Sequence, residues 1–408
     1  MDSPRRRILF LTPQLPYPPH QGTAIRNWHI LRHVAAHHTV DVLSFAANPP
    51  ADLAAAGPLR DLVGRLDALP APPRPLYRRL ADMAAGHADM ARRLHSDAFA
   101  ARLAEWLADG YDVVQAEGIE MAPYLWPTSG PLPLAARLVY DAHNAEALLQ
   151  QRNWLTDARQ PRRWAAAAYS WVQWQRLSAL EADLLRRADG IIAVSEADAA
   201  TLRALAPGLS PLVVPNGVDT AFYDPALADA QQPVPLAADT PWLVFTGKLD
   251  YRPNIEASLW LVGDVMPRVW AAAPAVRVAL VGRDPAPSVR ALAGPRVTVT
   301  GWVPDTRPYI AAAALFVAPL RVGGGTRLKL LEALAMARPI VSTSRGAEGL
   351  DLGAAAMLAD DADAFATAVL ALLADPPHRA AMRGAARQLA VARYDWQAIL
   401  PRLDGLYA

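Results

Sequence analysis

Short apolar runs, bounded by glycine, proline or polar residues, recur along the whole chain. Runs of this length without strict alternation are typical of buried parallel strands. The first half contains them at residues 8–11, 40–45, 113–114, 138–140 and 190–194, with a further strand opening 211–219. The second half contains them at residues 242–246, 276–281, 297–300, 311–320 and 339–342.

Helical periodicity fills most of the intervals between these runs. The spacing predicts helices after residue 22, through most of 51–109, over 154–187, from about residue 254, from 330, over 361–374 and over 377–406. Strands that alternate with helices in this way predict an α/β chain with parallel sheets.

The alternation occurs twice, so we expect two doubly wound, Rossmann-like domains facing each other across a cleft. Residues 224–240, rich in Pro, Ala, Asp and Gln, are the expected linker. The predicted boundaries are residues 1–225 for the N-terminal domain and 226–385 for the C-terminal domain. Residues 386–408 form a helix that we expect to pack back toward the N-terminal domain.

Composition narrows the functional classes. The chain has 408 residues, a net charge of +1 and no cysteine. Bulk nucleic-acid binding is therefore not indicated, and disulfides, thiolate metal sites and cysteine nucleophiles are excluded. The apolar run at residues 8–11 is too short for a signal peptide, and no run is long enough for a transmembrane helix. We expect a cytoplasmic protein, with peripheral contact at the inner face of the cell membrane as a further hypothesis.

The stretch RVGGGTRLKLLEAL at residues 321–334 carries the strongest candidate chemistry. A strand, a glycine turn formed by Gly323, Gly324 and Gly325, and a helix start together present backbone N–H groups to an anion. Arg327 and Lys329 add positive charge, and Glu332 could accept hydrogen bonds from ribose hydroxyls. The pattern favours a nucleoside diphosphate site, and a tight turn beside two solvated basic residues is the alternative.

Two further groups follow strand ends in the first half. Asp141, His143, Asn144 and Glu146 come directly after one strand, where ligands bind in α/β sheets, although a core histidine is an alternative. The proline-rich loop 12–22 ends in Gly22 at a helix start, and it is either a donor-facing loop or a rigid structural one. Arg252 and Arg283 also lie near strand exits of the second half.

Two other patterns have competing readings. Tryptophans and arginines alternate over residues 154–187, which is compatible with a membrane-contacting surface or with core packing. Asp361 and Asp363 imitate an Asp-x-Asp metal motif, but they lie at a predicted helix start, where carboxylates serve as caps. We therefore predict no metal.

The order and spacing of several motifs resemble the family 4 glycosyltransferases, retaining enzymes of the two-Rossmann-domain type called GT-B. The matching segments are the loop ending in Gly22, Asp141-Ala142-His143-Asn144, Ala188-Asp189 through Ser195-Glu196, Pro215-Asn216-Gly217-Val218-Asp219, Phe245-Thr246-Gly247, Gly301-Trp302-Val303, Leu331-Glu332-Ala333 and Arg338-Pro339-Ile340-Val341. FTGKLDYRPN and GGGTRLKLLEA resemble a bacterial subgroup of sugar transferases associated with exopolysaccharide gene sets.

The resemblance implies transfer of a sugar, hexosyl or related, from a nucleoside diphosphate sugar to an acceptor hydroxyl, with retention and without metal. The resemblance further implies that residues 1–225 form the acceptor-binding domain and residues 226–385 the nucleotide-sugar-binding domain. The donor is a substrate, so no cofactor is expected. It implies that Glu332 contacts the ribose, Lys248 the pyrophosphate and the Val303 main chain the base, while Gly22 closes over the diphosphate and His143 lies near the transferred sugar. The candidate catalytic residues are His143, Lys248, Arg327 and Glu332. The candidate donor-binding residues are Gly22, Lys248, Arg252, Arg283, Val303, Gly324, Gly325, Thr326, Arg327, Lys329 and Glu332.

The chain departs from the family pattern at two positions. The first glutamate of the E-x7-E motif falls at Gly324, so the sugar must be oriented by other groups. The family's second basic residue falls near Pro253-Asn254, and Arg252, Arg327 or Lys329 must replace its charge.

Other functions remain open at this point. A nucleotide-sugar epimerase or hydrolase of the same fold would need no acceptor, and a non-catalytic nucleotide-sugar-binding assembly subunit would bind donor without transfer. A dinucleotide dehydrogenase is disfavoured because no G-x-G-x-x-G follows the strands at residues 8–11 or 242–246. The expected partners are a nucleotide-sugar donor and a glycan or lipid-linked glycan acceptor, with no nucleic acid.

Overall fold

The computed structural model describes residues 4–19, 22–126, 136–159, 161–228, 233–237, 239–323 and 327–408. Contacts divide the chain into two compact units. The N-terminal unit comprises Met1–Pro215 and Leu400–Ala408, and the C-terminal unit comprises Asn216–Ile399.

The N-terminal unit is built on one parallel sheet. Its elements are β1 Arg7–Thr12, α1 Gly22–His37, β2 Thr39–Ala46, α2 Pro49–Ala55, α3 Gly57–Leu62, β3 Arg65–Pro70, α4 Leu76–Ala84, α5 Asp97–Leu107, β4 Val113–Glu117, β5 Arg137–Ala142, α6 Glu146–Ala158, α7 Trp164–Arg187, β6 Gly190–Ala193, α8 Glu196–Leu205 and β7 Leu212–Val213. Within the described residues the sheet has the order β3-β2-β1-β4-β5-β6-β7, with every pairing parallel.

The C-terminal unit repeats this plan. Its elements are α9 Pro225–Ala228, β8 Trp242–Thr246, α10 Arg252–Trp260, α11 Met266–Ala272, β9 Arg277–Val281, α12 Pro287–Arg290, β10 Val297–Val299, α13 Arg307–Ala312, β11 Leu315–Ala318, α14 Leu328–Ala335, β12 Ile340–Ser342, β13 Ala356–Leu358, α15 Ala362–Ala374, α16 Pro376–Leu389 and α17 Trp396–Ile399. Across the described part of this unit, the parallel strands run β10-β9-β8-β11-β12-β13.

The last segment of the chain belongs to the N-terminal unit. It holds the short helix α18, Asp404–Tyr407. Its attachment is polar as well as apolar: Asp404 pairs with His33 on α1, and Nη1 of Arg137 on β5 donates to the Leu406 carbonyl at 2.8 Å.

In both sheets the order of the strands reverses at a switch point, and this feature positions the candidate sites. When the strands are numbered within each unit, both sheets contain the order 3-2-1-4-5-6. The reversal lies between β1 and β4 in the N-terminal unit and between β8 and β11 in the C-terminal unit. Ligands of open α/β sheets bind outside the carboxyl ends of the strands at such points. The strands beside each reversal are fully buried; Leu9, Val114, Val244 and Phe316 are 0% exposed.

The predicted fold class of two doubly wound α/β domains is confirmed, with local corrections. Residues 65–70 form the edge strand β3 inside a stretch predicted to be mostly helical, because β2 supplies a pairing partner that local periodicity cannot reveal. The helix predicted over 154–187 is two helices, separated by a turn at Pro161–Arg163. The predicted strand 311–320 shortens to β11, because its first two residues end α13. The strand β13 was not predicted.

Candidate functional site

The switch point of the C-terminal unit brings two sequence-distant segments together. Gly247 and Lys248 follow β8, and residues 319–327 follow β11, the neighbouring strand. A Cβ atom added at Gly247 would lie 2.8 Å from Nζ of Lys329 and 2.9 Å from Nδ2 of Asn254. Because glycine has no Cβ atom, the Lys329 ammonium can approach the end of β8 closely.

Lys329 is a half-buried cation held by neutral groups. Its Nζ donates to Oδ1 of Asn254 at 2.9 Å and lies 4.0 Å from the ring centre of Phe245. No carboxylate of the described residues lies within ion-pair distance of this nitrogen. Burial lowers the pKa of Lys329 to about 7, the positive charge of Arg327 acts in the same direction, and Glu332 opposes both.

Arg327 is buried directly before α14. Burial lowers the pKa of its guanidinium, against the favourable charges of Tyr251 and Glu348, while Arg345 lowers it further. Its Nη2 lies 3.0 Å from the position of a Cβ at Gly323, which has a left-handed φ of 99°. The guanidinium therefore lies against Gly323, so two cations converge at the start of one helix.

Glu332 lies one turn into the same helix and is held from a distant segment. Tyr223 hydrogen-bonds with its carboxylate. Burial raises the pKa of Glu332, whereas the Tyr223 hydrogen bond and the charge of Lys329 oppose that rise. The carboxylate is thus oriented by Tyr223 and lies near enough to Lys329 to feel its charge.

The remaining predicted donor-binding residues of this unit have different environments. Lys248 and Arg252 each pair with a nearby acid, Asp250 at 3.1 Å and Glu256 at 2.8 Å, and both stay about half exposed. Arg283 follows β9 and accepts the Leu249 N–H through its carbonyl at 2.9 Å. Val303 packs partly buried against the core. Gly324, Gly325 and Thr326 lie outside the described residues.

The switch point of the N-terminal unit holds a buried acid–histidine pair. Glu117 ends β4, and its Oε2 lies 2.9 Å from Nε2 of His143, just after β5. Burial raises the pKa of Glu117, and the negative charge of Asp141 raises it further. For His143, burial would lower the pKa, but the Glu117 hydrogen bond and Asp141 outweigh it and raise the pKa.

Asp141 has its own counter-ion in Arg26 on α1. The guanidinium donates from Nε at 3.0 Å and from Nη2 at 3.1 Å to the two carboxylate oxygens, and from Nη1 to the Val214 carbonyl at 2.9 Å. Oxygen or nitrogen atoms of Glu117, Asp141 and His143 lie within 4.8 Å of one another, the separation of a metal cluster. Because Arg26 takes both oxygens of Asp141, the donor set fits an ion-pair network better than a metal site.

Two other expectations concern helix starts. Gly22 is the first residue of α1 and is exposed. Asp361 caps α15, as its place at the predicted helix start indicated, by accepting the Ala364 N–H at 2.8 Å, and Asp363 pairs with Arg268.

Sequence reasoning missed Asn254, Tyr223 and Arg26 as parts of these sites. The signal for Asn254 was its place at the start of α10, where the family's second basic residue was expected. Tyr223 and Arg26 act through partners far away in the sequence, which spacing alone does not reveal. None of the described helices is long and apolar enough to cross a membrane.

Comparison with known proteins agrees with this architecture. The family model described as Glycosyltransferase Family 4 matches residues 21–222, and the model described as Glycosyl transferases group 1 matches residues 240–375. No curated protein sequence matches the chain.

Several solved structures are similar over nearly the whole chain. Sucrose-phosphate synthase from Thermosynechococcus elongatus has 20% identity and a TM-score of 0.71, covering 99% of this chain and 98% of that one. Anabaena HepE, solved with UDP and glucose, has 17% identity and a TM-score of 0.67, covering 98% and 99%. WaaG, a glycosyltransferase involved in lipopolysaccharide biosynthesis, has 15% identity and a TM-score of 0.63, covering 98% and 99%. One glycosyltransferase model matches most of the N-terminal unit, a second matches most of the C-terminal unit, and each unit has the doubly wound sheet of a GT-B enzyme, so the chain belongs to the family 4-like glycosyltransferases of the GT-B fold.

Proposed function

We propose that this protein transfers a glycosyl unit from a nucleoside diphosphate sugar to an acceptor hydroxyl with retention, in the assembly of exopolysaccharide or a related cell-surface glycan. One observation carries the proposal. The half-buried Lys329 ammonium, beside the buried Arg327, is held at the C-terminal switch point by an amide and a ring rather than by a carboxylate. A cation such as the Lys329 ammonium, which folding has partly desolvated without pairing it to a carboxylate, favours binding of an anion such as a diphosphate.

The chemistry assigned to these groups is stabilisation of the leaving diphosphate. Charge that develops on the leaving group is offset by Arg327 and Lys329 at the start of α14, with Lys248 reaching from the end of β8. Glu332, oriented by Tyr223, accepts from the ribose hydroxyls. His143 acts near the transferred sugar, which it must help to orient because Gly324 replaces the family's first glutamate. We assign no nucleophile and no metal.

Thermal stability with a panel of nucleotides tests donor binding. HepE was solved with UDP and with UDP-glucose, so uridine diphosphates are the first to try. A ligand at about 100 times its dissociation constant stabilises the folded state by roughly 2.7 kcal/mol. We expect a shift in melting temperature with one diphosphate series, and its loss in Arg327→Ala and Glu332→Ala. No shift with any nucleotide would count against the proposal.

Product analysis separates the alternative functions. An epimerase or hydrolase of this fold converts the donor without an acceptor, and a non-catalytic subunit binds donor without transfer. Incubation with and without glycan acceptors, followed by NMR of the anomeric centre, should show acceptor-dependent product with the donor's configuration. Full activity in the presence of EDTA is the expected result for metal-independent transfer.

A lipid-linked glycan is the acceptor class we propose, because the N-terminal unit exposes apolar and basic side chains together. Trp154 and Trp174 stack on each other at 5.3 Å, whereas Trp164 and Trp171 on α7 are exposed. The helix α4 has no buried residue, and its Leu76, Tyr77 and Leu80 are more than half exposed beside Arg78 and Arg79. Apolar and basic side chains on one surface helix are typical of binding to an anionic lipid bilayer.

Vesicle flotation tests the membrane contact. The protein should float with vesicles containing phosphatidylglycerol and remain behind with neutral vesicles. The pair of substitutions Leu76→Gln and Leu80→Gln should reduce flotation, whereas Leu358→Gln, an equally exposed leucine on β13, should not. Wild-type protein that fails to float would remove this support for a lipid-linked acceptor.

A further inference from the structure

A chain of hydrogen bonds connects the end of the polypeptide to His143 within the N-terminal unit. The hydroxyl of Tyr407 donates to Oε1 of Gln115 at 2.7 Å, and Nε2 of Gln115 donates to Oε1 of Glu117 at 2.6 Å. Oε2 of the same carboxylate lies 2.9 Å from Nε2 of His143. Gln115 and Glu117 are fully buried and Tyr407 is 2% exposed, so water does not compete for these bonds.

The available donors and acceptors determine which group donates in each of these hydrogen bonds. Once Oε1 of Gln115 accepts from Tyr407, its amide nitrogen points at Glu117, and a carboxylate that receives an N–H is stabilised in its ionised form. Asn27, in the orientation that gives both of its amide atoms a partner, donates to Oε2 of Glu117 at 2.9 Å. An ionised Glu117 can only accept, so Nε2 of His143 must carry a proton.

This arrangement leaves Nδ1 as the ring nitrogen of His143 that is free to act. Nδ1 faces Gly118, 3.4 Å from the position of a Cβ there, and Gly118 has a left-handed φ of 85°. When the ring is protonated, Nδ1 is a donor, and when it is neutral, Nδ1 is an acceptor.

We propose that Tyr407 and Gln115 are positioning residues of the transferase, which hold ionised Glu117 on His143 and thereby keep the ring protonated with Nδ1–H directed to the substrate. The inference rests on the proposed function, because His143 is assigned there to the transferred sugar. It gives the terminal segment a role in the reaction rather than in folding alone.

Other charged groups face the same pair and must be considered in any test. Asp141 and its partner Arg26 lie beside His143, from β5 and α1. Glu146, at the start of α6, also acts on the His143 charge, and Glu120 lies next to Gly118, where it pairs with Arg93 at 3.4 Å. None of these groups changes when the Tyr407 hydroxyl is removed, so Tyr407→Phe isolates the proposed chain.

The deciding experiment is the titration of His143 in the unliganded full-length protein. Histidine NMR signals followed against pH, with His143→Gln to assign the resonance, should show a His143 pKa that falls in Tyr407→Phe and in Gln115→Met. The physical cause is that Glu117 loses a donor that favours its ionised form. The control Tyr111→Phe removes another buried hydroxyl, which donates to Asp41 at 2.7 Å, and should leave the His143 titration unchanged.

Kinetics then tests the consequence. In Tyr407→Phe the alkaline limb of the kcat/KM profile should move to lower pH. On that limb a fall of about one unit in the His143 pKa lowers the protonated fraction, and with it kcat/KM near pH 8, about tenfold. Retained UDP affinity and an unchanged melting temperature would separate this loss from unfolding. An unaltered His143 titration in both variants would overturn the inference. If the His143 titration shifts in the variants but the wild-type protein transfers no sugar, the transferase role is rejected instead. The two failures are therefore distinguishable.

Discussion

The ammonium of Lys329 and the side-chain amide of Asn254 form one hydrogen bond of 2.9 Å, and Nδ2 of the same amide donates to the Lys248 carbonyl at 2.8 Å. Asn254 stands where the family's second basic residue was expected. Lys329 therefore brings a positive charge from α14 to the position that Asn254 leaves neutral. Of the three candidates for this replacement, Arg252 is engaged by Glu256 on an exposed surface. The geometry favours Lys329.

The first prediction is that nucleoside diphosphate binding takes up a proton. The pKa of Lys329 is about 7 in the unliganded protein, so the amine is mostly neutral at pH 8. A bound diphosphate favours the charged form, hence affinity should fall as pH rises above 7 and binding at pH 8 should take up about 0.9 proton. Calorimetry with UDP in two buffers of different ionisation enthalpy measures this number. Lys329→Arg, always charged, is the control and should bind without uptake; equal enthalpies in both buffers for the wild type would contradict the prediction.

The second prediction separates the ribose contact from the phosphate contacts. Tyr223→Phe removes the hydroxyl that hydrogen-bonds with Glu332. Its UDP affinity should fall about tenfold, because one hydrogen bond that orients a carboxylate is lost. Binding of inorganic pyrophosphate, which has no ribose, should not change. Lys329→Met provides the contrast and should weaken both ligands. If Tyr223→Phe weakens pyrophosphate to the same extent, Glu332 does not act on the ribose.

The sequence predicted β1, β8 and β11 beside the switch points because these strands contain uninterrupted apolar runs that are buried. Of β4, whose sequence is VVQAE, only the first two residues form such a run. The peripheral strands β3 and β13 were missed, since each is half exposed and depends on pairing with a neighbour. A similar limit applies to helices: Pro161 and its turn divide a pattern whose periodicity continues on both sides.

Candidate-site residues at strand ends could be predicted because the carboxyl edge of a parallel sheet collects them. His143 and Lys248 were identified in this way. The supporting residues could not be, since Tyr407 and Gln115 are separated by 292 positions and Arg26 and Asp141 by 115. Only the folded sheet brings such pairs together, and neither periodicity nor motif spacing contains that information.

The third prediction concerns Glu181, a fully buried carboxylate on α7 that accepts the N–H groups of Glu146 and Ala147 at 3.3 and 3.1 Å. Burial raises its pKa to about 7 from an ordinary value of 4.5. The folded state therefore binds this proton more tightly than the unfolded state, and the free energy of unfolding should fall as pH rises from 4.5 to 7.

Glu181→Gln removes the buried charge while keeping an acceptor for the start of α6. It should increase the free energy of unfolding at pH 8 by about 3 kcal/mol and have little effect at pH 4.5. Urea unfolding at the two pH values measures the difference. Glu196→Gln, at an exposed helix start, is the control and should change neither value appreciably. A destabilised Glu181→Gln at pH 8 would mean that the carboxylate's two N–H bonds outweigh its burial.

The last prediction tests the close approach of two strand ends at the C-terminal switch point. A Cβ atom at Gly282, which follows β9, would lie 1.7 Å from the carbonyl oxygen of Gly247, and Gly282 has a φ of 153°. Because the obstacle is backbone, it cannot rotate away, and Gly282→Ala should destabilise the C-terminal unit by more than about 3 kcal/mol. Displacing Gly247 also changes the space occupied by the Lys329 ammonium, so the proposed nucleoside diphosphate binding should be lost with it. Gly384→Ala, in the exposed middle of α16 with nothing within 4 Å, should instead stabilise the protein by about 0.5–1 kcal/mol. Thermal unfolding of both variants with and without UDP measures the contrast, and a Gly282→Ala protein that melts and binds UDP like the wild type would show that β8 and β9 can separate without cost to the site.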